Sequence, residues 1–167
     1  MIVRFPVLVL AILIAPAADA ASAPTPAGIA ARLDRSDAKT VVNDLDAKHQ
    51  LDGVLAQIGR GSTAWVELAP RLASGTDAAS AEGLSISLAQ ALPANPVAVL
   101  RAVGADDNSV TGVKTVCGLP FVDGTRATVL AYRRRALAAL SRVQEANLLA
   151  KRDQCSATMK ALGEDKG

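Results

Sequence analysis

The sequence predicts an all-α fold, a small orthogonal or solenoid-like bundle of about six to seven short helices joined by one disulfide. Three observations predict it. Ala, Leu and Arg, which favour helix, are abundant. Aromatic residues, which favour strands, make up 2% of the 167 residues, and strand-type alternation is confined to one stretch, Val113 to Phe121. Apolar residues otherwise recur at three- and four-residue spacing between capping residues and Gly or Pro stops.

The first segment reads as an address. Met1-Ile2-Val3-Arg4 is a short positive start, Phe5 to Ala15 is apolar apart from Pro6, and Ala18-Asp19-Ala20 offers the small residues a signal peptidase recognises. Residues 1–20 are therefore expected to be a signal peptide cleaved near Ala20/Ala21, leaving a periplasmic or secreted protein with no stable membrane span. The apolar run is too short for a bilayer, which takes about 20 residues.

Residues 21–35 form an Ala/Pro leader with a possible first short helix, 36–163 a single helical domain and 164–167 a tail. Ser36-Asp37 caps a helix carrying Val41, Val42 and Leu45. The next carries Leu51, Val54, Leu55 and Ile58, and Gly59 and Gly61 stop it. Ser62 caps a helix with Trp65, Leu68, Ala69 and Leu72 in one stripe, and Gly75 ends it. Thr76-Asp77 starts a helix running to Pro93, whose Leu84, Leu88 and Leu92 row and opposing Ile86 place it between neighbours. Asn95-Pro96 is a cap with proline at the first helical position, opening a short helix that ends by Gly104. The polar stretch Gly104 to Gly112 is a loop. Gly118 and Pro120 leave Val113 to Phe121 undecided between helix and extended chain. Asp123 caps a helix continuing to about Val143, and the last runs from Glu145 to about Leu162 with Leu148, Cys155, Met159 and Leu162 on one seam.

Composition excludes several classes. Apolar content of 50% with charged residues at 20% argues against a disordered chain, and a formal net charge of +2 argues against a nucleic-acid binder, which must neutralise many phosphates. Two cysteines in an exported chain allow one intramolecular bridge, Cys117 to Cys155.

Three stretches carry a resemblance: Trp65-Val66-Glu67-Leu68-Ala69-Pro70-Arg71-Leu72 with Gly75-Thr76-Asp77, Ala89-Gln90-Ala91-Leu92-Pro93-Ala94-Asn95-Pro96, and Val116-Cys117-Gly118-Leu119-Pro120-Phe121 before an Arg-rich helix. Together they resemble a group of small, Ala-rich, signal-peptide-bearing exported helical proteins of bacteria with no assigned function. The resemblance implies location and helical class, and carries no functional residue.

The chemistry-bearing residues are few. Asp46, His49 and Asp52 lie three apart, spaced to converge on a cation if they shared one helix, but a closed zinc site takes four ligands and the segment spans a helix boundary, so capping roles are expected and no metal. With a single His and no Gly-x-Ser-x-Gly, a serine triad has no support. Glu67, Asp77, Glu82, Asp106, Asp107 and Asp123 could serve dispersed-carboxylate hydrolysis, but none stands out. No cofactor motif occurs. Trp65 reads as core.

The remaining feature is Tyr132-Arg133-Arg134-Arg135. On a helical wheel Val129, Tyr132, Ala136, Leu140 and Val143 share one face, Leu130 and Leu137 widen it, and Arg126 and Arg133 fall within it. Two roles follow: an internal one, with these guanidinia bonded to carboxylates or helix carbonyls, or a binding one, with Arg126, Arg133, Arg134 and Tyr132 facing a partner. The expected function is a non-catalytic binding module for a protein or anionic partner, inhibitor-, immunity- or adaptor-like. The alternatives are an envelope hydrolase and an envelope structural or scaffold protein.

Overall fold

The computed structural model describes residues 23–104, 109–119 and 124–161. The segment 1–20 expected to be a signal peptide, Asp106, Asp107, Asp123 and the 164–167 tail lie outside the described residues. The described chain is all helical: α1 Pro26–Leu33, α2 Ala38–Ala47, α3 Leu51–Gly59, α4 Thr63–Val66, α5 Ala69–Ala73, α6 Ala78–Ala91, α7 Pro96–Ala102, α8 Val113–Cys117, α9 Arg126–Leu140, a 3-10 turn at Ala146–Leu148 and α10 Leu149–Ala161.

Short side chains at the helix entrances set this punctuation. A free backbone N–H in the first turn needs an acceptor, and a side-chain oxygen before the helix supplies it. Asp37 accepts from the Thr40 amide at 2.9 Å, and Asn95 from the Ala98 amide at 3.1 Å. At α6, Asp77 accepts from the Ser80 amide at 2.9 Å while Ser80 Oγ accepts from the Asp77 amide at 2.9 Å, a reciprocal box. Asn95 also donates Nδ2 to the Gly61 carbonyl at 2.9 Å and so ties α7 to the α3–α4 turn. Gly61, with φ of +78°, makes that turn in the left-handed region.

More helices are present than the sequence predicts, because one expected helix is two and the segments left open, Pro26–Leu33 and Val113–Cys117, are both helical. The stretch from Ser62 to Gly75 breaks at Glu67-Leu68: Pro70 has no N–H to continue the ladder and takes an opening position of α5 instead. Trp65, expected in the core, is only half-buried at its edge. Val113–Cys117 is helix, not extended chain, and ends at Gly118. Thr125 caps α9, accepting from the Thr128 amide at 3.3 Å, and α9 stops at Leu140, short of the predicted Val143.

The 14-residue α6 is the pillar. It packs against α3, α5, α7 and α8, with Leu84, Leu88 and Leu92 fully buried. Small buried residues flank that row, Ser85 and Ala89 on one side and Ser87 and Ala91 on the other, and the two hydroxyls bond carbonyls of their own helix, Glu82 and Gly83, each at 2.8 Å. Buried polar groups are thereby satisfied without a partner element. Gly75 allows the α5 exit to press on α2, since a Cβ there would collide with the backbone of Ala38 and Lys39.

Several links fasten the carboxy-terminal half to this body. Cys117 and Cys155 form a disulfide joining α8 to α10, with Cα atoms 5.3 Å apart, closing a loop that contains α9. Lys151 Nζ donates to the Leu100 and Val103 carbonyls at 3.1 and 2.5 Å, satisfying the carboxy-terminal end of α7. Arg101 pairs with Glu145 at 2.8 Å. The Gly104 to Gly112 loop is closed at its base by the Gly104 amide to the Thr111 carbonyl at 2.9 Å. Among the described residues no helix is long and apolar enough to cross a membrane.

Candidate functional site

The side chains of α9 decide what this region can do. Its inward face is Tyr132, Ala136, Ala139 and Leu140. Two of the four are alanine, so α9 lies close against α7 and α10. The predicted face agrees in Tyr132, Ala136, Leu140 and Val143, all buried, but the true contact face is rotated away from its extension to Leu130 and Leu137. Leu130, expected within the apolar arc, is 39% exposed, and Leu137 is half-buried.

That rotation relocates the arginines. Arg126, placed by the sequence inside the apolar arc, is exposed in the first turn of α9. Arg133 is half-buried at the rim, and Arg134 and Arg135 are exposed. Among the described residues, the side chains of Arg133, Arg134 and Arg135 form neither a hydrogen bond nor an ion pair. The internal role weighed for Arg133 therefore has no partner, and Arg126 does not lie in the core. Ala127, Thr128, Ala131, Arg134 and Arg135 line a shallow hollow on this face. Arg135, which the sequence reading set aside, belongs to it; the signal available was its place in the unbroken arginine run.

Tyr132 parts company with the arginines. It is buried and donates its hydroxyl to the Ala89 carbonyl of α6 at 2.7 Å, pinning α9 to the pillar. Burial pushes its phenol well above the ordinary value, with the Arg135 charge opposing in part, so the group keeps its proton. It is a fastening residue, buried on the inward face of α9.

The Asp46, His49 and Asp52 set does not converge on a metal. Asp46 is on α2, Asp52 on α3, and His49 lies in the turn between them with φ of 54°. Its backbone ends α2 in a two-bond left-handed cap: the His49 amide donates to the Asp46 carbonyl and the Gln50 amide to the Leu45 carbonyl, each at 2.8 Å. Among the described residues no group of three His, Cys, Asp or Glu side chains is placed to hold a metal ion.

Asp46 and Asp52 do share a second concavity with Asp77, a groove of about 240 Å³ between α2, α3 and α6 with Val42, Leu51 and Gly83 in its wall. Asp77 is committed to its helix cap, and the Ser80 hydroxyl and amide hold its carboxyl below the usual range. A general acid needs its pKa moved the other way, toward neutrality. Glu67 and Glu82 are exposed, and the buried polar residues among those described are Ser85, Ser87 and Thr111. Comparison with known proteins adds no relative: no family model, no curated protein and no solved structure matches the chain.

Proposed function

We propose that this is an exported, non-catalytic binding module that engages an anionic or acidic partner through the outward face of α9. The observation that carries this reading is the set of three consecutive arginines, Arg133, Arg134 and Arg135, with no carboxylate or carbonyl of the described protein bonded to them. Guanidinium groups are strong, directional donors, and evenly displayed free ones are suited to carboxylate or phosphate acceptors brought by another molecule. Export is supported by the charged start, apolar run and Ala-x-Ala site of residues 1–20 and by the Cys117–Cys155 bridge, which persists in oxidising compartments. The resemblance to exported Ala-rich bacterial proteins supports the same address.

The test is retention of envelope components by the immobilised protein, compared with the R134E/R135E variant at matched melting temperature. Components kept by the parent protein, released by salt and missing from the variant are the predicted result. The same set on both proteins contradicts it. Amino-terminal sequencing of the product recovered outside the cytoplasm should begin at Ala21; a product starting at Met1 overturns the export reading.

A further inference from the structure

We infer that the partner of the α9 face is an anionic lipid surface, on which the helix lies lengthwise. The inference rests on the binding role proposed above and names its ligand. Between residues 124 and 144 the chain carries Arg126, Arg133, Arg134, Arg135 and Arg142 and no Asp or Glu. Four arginines outside this stretch each pair with a carboxylate, Arg32 with Asp44, Arg71 with Asp34, Arg101 with Glu145 and Arg152 with Asp153, whereas the side chains of Arg133, Arg134 and Arg135 pair with none among the described residues. On a chain with a formal net charge of only +2, these three consecutive arginines are a local concentration of positive charge.

Geometry then selects among anionic ligands. Arg133, Arg134 and Arg135 are consecutive in a helix, so their side chains leave the axis about 100° apart. Fanned guanidinia cannot close on one small anion or one carboxylate. They can each reach a different phosphate in an extended layer of headgroups. The hollow on this face is shallow and lined by Ala127, Thr128, Ala131, Arg134 and Arg135. In helical projection Leu130, the large apolar side chain left exposed among the described residues, falls between Arg126 and Arg133 on one flank and Arg134 on the other. An apolar residue flanked by long cationic side chains is the pattern of a helix resting at a membrane interface, with the arginine stems lying back toward the headgroups. One leucine gives little apolar burial, so the association is electrostatic, reversible and sensitive to salt.

The test is co-sedimentation of the full chain with vesicles of equal parts phosphatidylcholine and phosphatidylglycerol, and with phosphatidylcholine alone, for the parent protein and R134Q/R135Q. Both proteins carry the same amino-terminal residues, so their difference isolates α9, and circular dichroism verifies that both are folded. The parent should prefer the anionic vesicles. The variant should partition about 25-fold less, about five-fold for each charge removed. Equal partitioning of the two proteins, or no preference for phosphatidylglycerol, overturns the lipid assignment. Titration with polyglutamate, followed by amide shifts along α9, separates the two levels of the claim. Shifts present in the parent and absent in the variant, without vesicle binding, keep the binding face and reject the lipid. No shifts and no vesicle binding reject both.

Discussion

The two longest helices, α6 with 14 residues and α9 with 15, are opposite uses of the same backbone. α6 has one charged residue, Glu82, and is covered by neighbours along both sides. α9 has four arginines, touches the body by a face of Tyr132, Ala136, Ala139 and Leu140, and leaves Leu130 outside. Neither shows a clean amphipathic stripe, for opposite reasons. α6 buries Leu84, Ser85, Ser87, Leu88, Ala89 and Ala91 around more than half of its circumference and leaves Glu82 and Gln90 exposed, whereas α9 carries a large apolar side chain and its charges together on the side that packs against nothing described. What this teaches is that a weak apolar stripe can mark either a buried pillar or a displayed surface, and that charge content tells them apart.

The comparison breaks most visibly at the disulfide, which holds the loop containing α9 to the body. Reducing Cys117–Cys155 should lower the free energy of unfolding by about 4 kcal/mol on the chain-entropy account, read from urea curves with and without reductant. An unchanged midpoint would mean that α9 and α10 stay docked without it. The next largest effect separates the two helices directly. Leu88→Ala in α6 should cost about 3 kcal/mol by opening a cavity, while Leu130→Ala in α9 should change stability by less than about 0.5 kcal/mol. Equal costs would place Leu130 in a packed environment and end the contrast.

A smaller effect sharpens the joint between them. Tyr132→Phe removes the hydroxyl that bonds the Ala89 carbonyl and should cost about 1 kcal/mol, visible as a lower melting temperature. The smallest effect is spread over the helix entrances. Hydrogen bonds from Thr40 and Ser80 hold the carboxyls of Asp37 and Asp77 below the ordinary value, and Lys48 followed by Arg32 does the same for Asp44. Each is a weaker base in the folded chain than in the unfolded one. The stability they add is present above the ordinary carboxylate pKa and is lost as the pH falls through their depressed values. The melting temperature should therefore decline on acidification below about pH 4, and Asp77→Asn, which keeps a capping oxygen, should flatten part of that decline. A melting temperature level through this range would remove the caps from the account.

Much of the body could be read from residue order. Asp37, Asp77 and Asn95-Pro96 mark helix starts because a short acceptor before an apolar-periodic run has few other uses. The bridge followed from two cysteines in an exported reading. The break within Ser62 to Gly75 was missed because Trp65, Leu68, Ala69 and Leu72 keep helical spacing across Pro70, and two short helices can preserve one stripe. Thr125 was overlooked as the α9 cap in favour of Asp123. The binding face was half legible. The arginine run and the face of Tyr132, Ala136 and Leu140 were visible, but a wheel weighted by side-chain size was drawn on toward Leu130 and Leu137, and nothing in the order of residues showed that Ala139 would make the contact. Close packing rewards small side chains that such weighting ignores. The same error grouped Tyr132 with the arginines it is turned away from.

The central claim is that Arg133, Arg134 and Arg135 belong to a surface for another molecule and contribute nothing to holding this one together. Thermal unfolding of R133Q/R134Q/R135Q beside the parent protein tests it most directly. A melting temperature equal to the parent's, or slightly higher as like charges on neighbouring residues are removed, is the predicted result. A fall of about 4 °C or more would show that these guanidinia support the fold, and would contradict it.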